Sequence, residues 1–250
     1  MVVELLRKKG YRGYIHLRLM PGTPKDLVFH AAVLADRVGI NVEAPKEVFK
    51  EIAPGKGDWV NDIIKRIEWL VKLKKFLRKK KAPGYLSSGV DTQIMLGVYN
   101  ETDLEVLETA WYLLKLGVDR IYVSGFKPYP NTPLGKQRPA SKWRVLRVTQ
   151  AIELMRVYGY SFDEIKELVN DDGMLPNIDP KVAYAEKHKW LFPIDINNDP
   201  YELLIKVPGI GPRSARKIII VRKQRRIDRT LLSKIIGYKN MIKALKYIVI

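Results

Sequence analysis

The twelve residues Val-Pro-Gly-Ile-Gly-Pro-Arg-Ser-Ala-Arg-Lys-Ile, at positions 207–218, have the composition of a phosphate-binding turn. Apolar residues at helical spacing flank them, which predicts a helix, a tight turn and a second helix. Gly209 and Gly211 allow backbone conformations that other residues avoid, and they let a ligand approach the backbone closely. The first amides of a helix have no partner within it, and the helix dipole favours an anion there. We therefore predict that backbone amides around Gly209 and Gly211 hold a phosphate.

This pattern is the spacing of a helix-hairpin-helix motif, and residues 231–248 resemble a degenerate second copy with Gly237 in its turn. Two hairpins packed about a pseudo-dyad would straddle the minor groove of a duplex. The alternative is an ordinary connection between two helices, closed by a glycine cap. The predicted DNA-binding residues are Lys206, Val207, Gly209, Ile210, Gly211, Arg213, Ser214, Arg216, Lys217, Gly237 and Lys239.

The charge of the chain supports a polyanionic partner. Its net charge is +18, and residues 206–250 hold thirteen Lys and Arg against one acid, Asp228. Such a concentration favours DNA, duplex or single-stranded, bound through phosphates in a salt-sensitive and largely nonspecific way. The alternative is the Lys-rich surface of a heat-adapted protein, but an even surface would not place +12 in the last forty-five residues.

Cysteine is absent from the sequence, so this chain can form neither a disulfide nor a thiolate metal or cluster site. The sequence contains no cleavable signal segment and no apolar run of about eighteen residues, so we expect no membrane partner. These features fit a cytoplasmic protein.

Strand and helix patterns alternate four times in the first part of the chain, which predicts parallel βαβ units. The strands are expected near residues 13–22, 40–45, 92–100 and 119–130. Four strands are too few to close an eight-stranded barrel, so the expected fold is α/β: a partial (β/α) barrel, followed by a small all-α helix-hairpin-helix domain. We place the partial barrel at 1–160, a helical and irregular connector at 161–197 and the DNA-binding domain at 198–250. Candidate chemistry lies at the predicted strand ends, at His16, Asn41, Glu43, Gly97 and Ser124.

Two other groups of residues suggest weaker alternatives. Asp171 and Asp172 resemble a metal-binding carboxylate pair of a nuclease, but no third ligand is evident and this string is typical of a turn. His16, His30 and His188 lack the spacing of metal ligands. We therefore predict no metal site, and we keep a cluster-free nuclease or glycosylase as the alternative enzymatic function.

Six segments, in order, carry a resemblance to a known family. They are GYIHLRLMPGT, ADRVGINVEAP, DTQIMLGVYNETD, DRIYVSGFKPYPNTPL, DPKVAYAEKHKWLFPIDIN and LIKVPGIGPRSARKI. The series resembles radical SAM proteins of DNA modification or repair that end in a helix-hairpin-helix module, from about Tyr11 to the end of the chain.

The resemblance implies a partial barrel that binds S-adenosylmethionine. It assigns cofactor contacts to Asn41, Glu43, Gly97, Val98, Ser124 and Phe126. Family members also carry a three-cysteine motif that this chain lacks, so it cannot by itself ligate a four-iron four-sulfur cluster. Either a second chain supplies the first strands and the cysteine motif, with "GYIHLRL" as the docking edge, or the chemistry is lost and a catalytically dead nucleic-acid-binding protein remains. The chain is expected to be a radical SAM-like enzyme only if such a partner completes it.

Overall fold

Four parallel strands form the main sheet, and they lie side by side in the order of the sequence. The structure is a computed structural model that describes residues 2–77 and 83–250. The strands are β1 (His16–Leu19), β2 (Arg37–Ile40), β3 (Gly89–Leu96) and β4 (Arg120–Gly125). Because parallel strands in this order are joined by crossovers of one hand, the connecting helices belong on one face of the sheet. The α/β class is confirmed, with about 50% helix and a parallel sheet of four strands.

Helices precede, connect and follow these strands. In chain order they are α1 (Val2–Lys8), α2 (Lys25–Leu34), α3 (Phe49–Ile52), α4 (Lys65–Leu77), α5 (Asp103–Leu116) and α6 (Lys142–Val157). The pattern of residues 59–84 predicts one long helix. It begins as a π-helical segment, Trp59–Ile64, and continues as α4, and residues 78–82 lie outside the described residues. The spacing of Thr102 and Glu105 predicts a capping box, which they form at the start of α5, and Gly117 ends this helix with φ 114°.

The two faces of the sheet differ in polarity. Side chains alternate along each strand, and one set is apolar and buried, as at Val38, Ile94 and Ile121. Helices α2 and α4 pack against this part of the molecule. The other set is polar and exposed or half-buried: His16, Arg18, Arg37, Gln93, Arg120, Tyr122 and Ser124. Parallel sheets are usually buried on both faces, so this polar face is unusual.

The second strand differs from its prediction. It covers Arg37–Ile40 instead of residues 40–45, and Glu43 lies beyond it with φ 66°, joined to β3 by an isolated bridge to Ile94. His16 is also displaced from its predicted place, because it is the first residue of β1 and therefore lies at the amino end of the sheet.

The chain divides into two compact units, Met1–Val145 and Leu146–Ile250. The remaining elements belong to the second unit: α7 (Phe162–Lys166), α8 (Pro180–Lys187), β5 (Ile194–Asp195), α9 (Tyr201–Leu204), α10 (Pro212–Arg222), α11 (Arg229–Ile236), α12 (Tyr238–Ala244) and β6 (Ile248–Val249). The predicted boundaries at residues 160 and 197 therefore differ from the observed division, which lies within α6.

Packing explains this difference. Tyr158 packs against the core of the second unit, and the ring of Tyr160 meets that of Tyr184 edge-on at 4.9 Å. Strand β5 pairs in parallel with β6, with Ile194 opposite Ile248. The predicted connector and the predicted hairpin domain thus share one core, and the short strand pair means that this unit is not purely helical. No helix in the described part of the chain has the length and hydropathy of a membrane span.

Candidate nucleic-acid interface

The predicted hairpin is a tight turn between α9 and α10 whose apolar side chains point into the core. Val207 and Ile210 are fully buried, and the amide of Ile210 donates to the carbonyl of Val207 at 3.0 Å. These two residues therefore anchor the turn. Their amides already donate to the carbonyls of Leu204 and Val207, so neither amide is free for a ligand. The core around them also includes Leu204, Ala215, Ile218, Leu232 and Ala244.

Gly209 is required by the packing of this turn. Its φ is +93°, and a Cβ at this position would lie 2.5 Å from the carbonyl oxygen of Asn240, the residue that is part of α12. Only glycine satisfies both conditions. The first hairpin therefore rests directly on the second, which consists of α11, Gly237 and α12.

Gly211 leaves the start of α10 uncapped. It is the N-cap residue, with φ −95° and ψ 170°, and no side chain caps the helix there. Pro212 follows, so the first free amides of the helix belong to Arg213 and Ser214, which have no acceptor within the helix. A Cβ at Gly211 would meet only the hydroxyl of Tyr158, at 3.5 Å, so the approach to these amides is open.

The predicted basic residues fall into two groups. Arg213, Arg216 and Lys217 are exposed on α10, beside the uncapped amides, and Ser214 is half-buried. Lys206 instead forms an ion pair with Glu164 and lies 3.1 Å from the hydroxyl of Tyr184. The structure therefore gives Lys206 a structural partner and separates it from the exposed cations of α10.

Glu164 is held ionised by this contact. Burial alone would raise the pKa of its carboxyl group, but the hydrogen bonds from Lys206, the Ser161 amide and Tyr184 lower that pKa below its ordinary value. Lys206 also lies over the rings of Tyr160 and Tyr184, at 5.0 and 4.9 Å. This network ties the residue before the hairpin to α7 and α8.

The second predicted hairpin is present as a pair of helices joined by a single residue. Gly237 has φ +83° and is both the C-cap residue of α11 and the N-cap residue of α12. Lys239 is exposed on α12. Helix α12 has seven residues, and its Lys243 forms an ion pair with Asp179 at 2.7 Å. Of the two predicted hairpins, only the first therefore precedes a helix of more than two turns, the eleven-residue α10.

A cleft of about 450 Å³ opens beside the first hairpin, within the second unit. Gly209, Gly211 and Ser214 line it on one side. Its other lining residues come from α6, from the start of α8 and from α12, and include Glu153, Tyr158, Asp179, Lys181, Asn240 and Lys243. The uncapped amides of α10 and this group of titratable side chains thus share one opening.

Among these groups, the pKa of Lys181 is shifted far from its ordinary value. Its side chain is almost entirely buried, its Nζ donates to the carbonyl of Ile210 at 2.5 Å, and it lies 4.6 Å from the ring centre of Tyr158. Burial lowers the pKa of this amine to about 7, with Asp179 opposing the shift and Lys243 adding to it. Close to neutral pH a large part of Lys181 is therefore an uncharged amine.

Asp179 keeps its charge in the same cleft. It caps α8 by accepting from the amide of Lys181 at 3.0 Å, and its other oxygen accepts from Lys243. Burial works against ionisation, but the bond to Lys243 and the charge of that residue bring the pKa of Asp179 below its ordinary value.

Sequence reasoning missed Lys181, Asp179 and Tyr158. A signal was available, because positions 181, 184, 185 and 188 share one face of a helix. The other three residues of this face, Tyr184, Ala185 and His188, are of types that can pack against a core. A lysine in that stripe is a candidate for a buried amine. The contact with Ile210, twenty-nine residues away, could not be read from the pattern.

The predicted cofactor residues lie at the carboxyl ends of β2, β3 and β4. Most of their polar groups already have hydrogen-bond or ion-pair partners within the protein. Glu43 is paired with Lys56, the Gly97 amide donates to Glu101, and Ser124 accepts from Gln93 at 3.0 Å. Val98 is buried, and the amide of Phe126 donates to Leu96.

Asn41 is the exception, since its side-chain oxygen is buried without a hydrogen-bond partner among the described residues. The space beside Gly97 is filled, because a Cβ there would lie 2.8 Å from that of Ala140. With the Glu43 carboxylate and the Gly97 amide already occupied, these six residues do not by themselves form a site for S-adenosylmethionine. The chain has no thiolate for a cluster.

His16 belongs to a different cluster, which the sequence did not reveal. Asp91 is fully buried in β3 and accepts from His16 at 3.1 Å and from Arg18 at 2.9 Å. His16 and Arg18 are two residues apart on β1, so both point to the polar face of the sheet. An acid directly before the predicted strand at 92–100, and inside the observed β3, was the available signal.

The carboxylate pair Asp171 and Asp172 forms a turn, as its sequence suggested. The Asp172 side chain accepts from the amide of Met174 at 2.9 Å. Within residues 2–77 and 83–250, no group of three or more His, Cys, Asp or Glu side chains is arranged to hold a metal ion.

Comparisons with known proteins add no relative. No family model matches the chain, and the comparisons with curated proteins and with solved structures return no match.

Proposed function

We propose that this chain binds DNA by its phosphate backbone, at the start of α10. The observation that supports this most directly is the uncapped helix start, where the amides of Arg213 and Ser214 lie next to a glycine N-cap and an open approach. Such amides, at the positive end of a helix dipole, suit a phosphate oxygen. Exposed Arg213, Arg216 and Lys217 add positive charge around the same point.

Binding of this kind reads charge and backbone shape, since phosphate contacts carry no sequence information. The affinity should fall steeply as the salt concentration rises, because each phosphate contact releases condensed counterions.

The cytoplasm remains the location that the cysteine-free sequence favours.

A substitution series at Gly211 tests the phosphate site. Ala leaves the helix amides free, Asn caps them with a neutral side chain, and Asp caps them with a negative one. A Cβ at this position would meet only the hydroxyl of Tyr158, at 3.5 Å. In fluorescence anisotropy with a duplex oligonucleotide, we expect Gly211→Ala to bind as the wild type does, Gly211→Asn to bind more weakly and Gly211→Asp to bind most weakly.

The series separates binding from folding, because Asn and Asp are good N-caps and should keep or slightly raise the stability. Equal affinity of the Ala and Asp variants would exclude the phosphate site. The same titration with single-stranded DNA and with an RNA duplex shows which nucleic acid is preferred, and tighter binding of RNA would contradict the proposal for DNA.

A second proposal concerns the first unit and is favoured by the polar face of its sheet. A partner chain that carries a three-cysteine motif would cover this face and supply the cluster, and S-adenosylmethionine would bind only in the completed protein. The pair would then act in DNA repair or modification. Co-expression with such a partner should yield a brown, iron-containing complex, and co-expression that yields no such complex would contradict the proposal.

A further inference from the structure

The cleft beside the first hairpin brings a buried amine next to the proposed phosphate site. Lys181 and the helix start at Gly211 and Ser214 line the same opening. The Nζ of Lys181 lies 2.5 Å from the carbonyl oxygen of Ile210, within the turn itself. A DNA strand held by the α10 amides would therefore place a sugar close to this amine.

The surroundings of Lys181 suit an uncharged amine. The carbonyl of Ile210 is the one hydrogen-bond acceptor that the described residues provide to its Nζ, and the ring of Tyr158 covers another side. The titratable groups that face the cleft are Asp179 at the start of α8, Glu153 on α6, Tyr158 directly after α6, and Lys243 on α12. A buried lysine beside a second cation is the arrangement that activates amines toward carbonyl carbons.

We infer that Lys181 forms a covalent imine with the aldehyde carbon of an abasic site in DNA and promotes strand cleavage by β-elimination, an inference that rests on the proposed binding of DNA. The substrate class is DNA from which a base has been lost, whose sugar exists partly as an open-chain aldehyde. Such a site lacks a base and so fits a cleft of about 450 Å³.

The reaction needs no oxidant and no metal. The lone pair of Nζ attacks C1′, a C–N bond forms, and the carbonyl oxygen leaves as water to give the imine. A carboxylate of the cleft, Asp179 or Glu153, accepts a proton from C2′. The electron pair of that C–H bond forms a double bond, and the C3′–O bond breaks with its electrons on the departing phosphate. Water then hydrolyses the imine, which restores the amine and releases an unsaturated aldehyde.

Borohydride trapping tests this inference. The protein is mixed with a duplex that contains one abasic site, the imine is reduced to a stable amine, and the adduct is located by peptide mass spectrometry. We expect the adduct on Lys181, and we expect Lys181→Arg to lose it, because a guanidinium does not form the imine. The matched control is Lys166→Arg, an exposed lysine at the end of α7 that has no part in the proposed DNA-binding site, and it should be trapped as the wild type is.

A duplex with a tetrahydrofuran site, which has no aldehyde, separates the inference from the proposed function. If the wild type binds this duplex but abasic DNA is not trapped, or is trapped on exposed lysines instead of Lys181, the imine is excluded and DNA binding stands. If the wild type does not bind the tetrahydrofuran duplex, the proposed function fails as well. The mapping uses wild-type protein, so it decides the matter even if Lys181→Arg does not fold.

Discussion

Gly209 and Asn240 meet through their backbones, so that a Cβ on the glycine would stand 2.5 Å from the carbonyl oxygen of the asparagine. This contact joins the two hairpins of the second unit. It also changes how the first hairpin can be tested, because any side chain at position 209 would disturb the packing before it could reveal anything about a ligand. Gly211, with open space beside it, is the position where binding can be altered alone.

The first prediction concerns the role of Gly209 in stability. Gly209→Ala should lower the free energy of unfolding by at least about 2 kcal/mol, since it combines a positive φ with a backbone collision. The matched control is Gly159→Ala, where φ is +73° and nothing lies within 4 Å. That variant should lose only the conformational part, about 1 kcal/mol. Urea unfolding measures both, and equal losses would show that the contact with Asn240 contributes nothing.

The second prediction separates Lys206 from the other residues that we propose to bind DNA. Lys206→Met leaves the half-buried carboxylate of Glu164 without its cation, which should cost about 1–3 kcal/mol of stability. Its DNA affinity should change little at a temperature where it is folded. Arg213→Met, at an exposed position, should show the opposite, with stability within about 0.5 kcal/mol of the wild type and a salt slope smaller by about one. A large loss of affinity in folded Lys206→Met would contradict this division.

The third prediction follows from the low pKa of Lys181. Its pKa is about 7 in the folded protein and 10.5 ordinarily, so the unfolded chain binds more protons between these values. The free energy of unfolding should therefore gain a contribution as pH rises from about 7 toward 10.5, and the full cost of burying the ammonium should be felt below pH 7.

Lys181→Met removes this titration. The free energy of unfolding of this variant, relative to that of the wild type, should be higher at pH 6 than at pH 9. Urea unfolding across that range measures it. Lys217→Met, at an exposed lysine, should follow the wild type at every pH. If the stability difference between Lys181→Met and the wild type is constant with pH, then Lys181 has an ordinary pKa.

The fourth prediction concerns the buried Asp91 of the first unit. Arg18→Met leaves a fully buried carboxylate with His16 as its remaining side-chain partner, and we expect a loss of about 3 kcal/mol. Asp91→Asn instead leaves His16 and Arg18 without their carboxylate, but water can reach both side chains, so it should cost about 1–2 kcal/mol. Thermal unfolding of the two variants gives the order, and the reverse order would mean that the polar face of the sheet is screened from water.

Much of the local structure could be predicted from neighbouring residues. The capping boxes at Thr102 and Ser161 depend on hydrogen bonds within three residues, so the spacing of Glu105 and Glu164 was enough to predict them. The alternation of strands and helices also indicated the parallel sheet. The second strand was misplaced because the apolar segment at 40–45 is bent by Glu43, whose positive φ a pattern of residue types does not show.

By itself, the sequence determined the α/β class, the basic end of the chain and the hairpin with its two glycines, because composition and short-range spacing are enough to specify them. Tertiary structure alone decided which charged side chains form ion pairs within the protein and which face solvent. Lys206 and Arg213 are alike as basic residues of the same motif, yet one is held by Glu164, forty-two residues away, and the other faces solvent. It also decided that Lys181 is buried against Ile210, since burial and ion pairing depend on residues that only folding brings together.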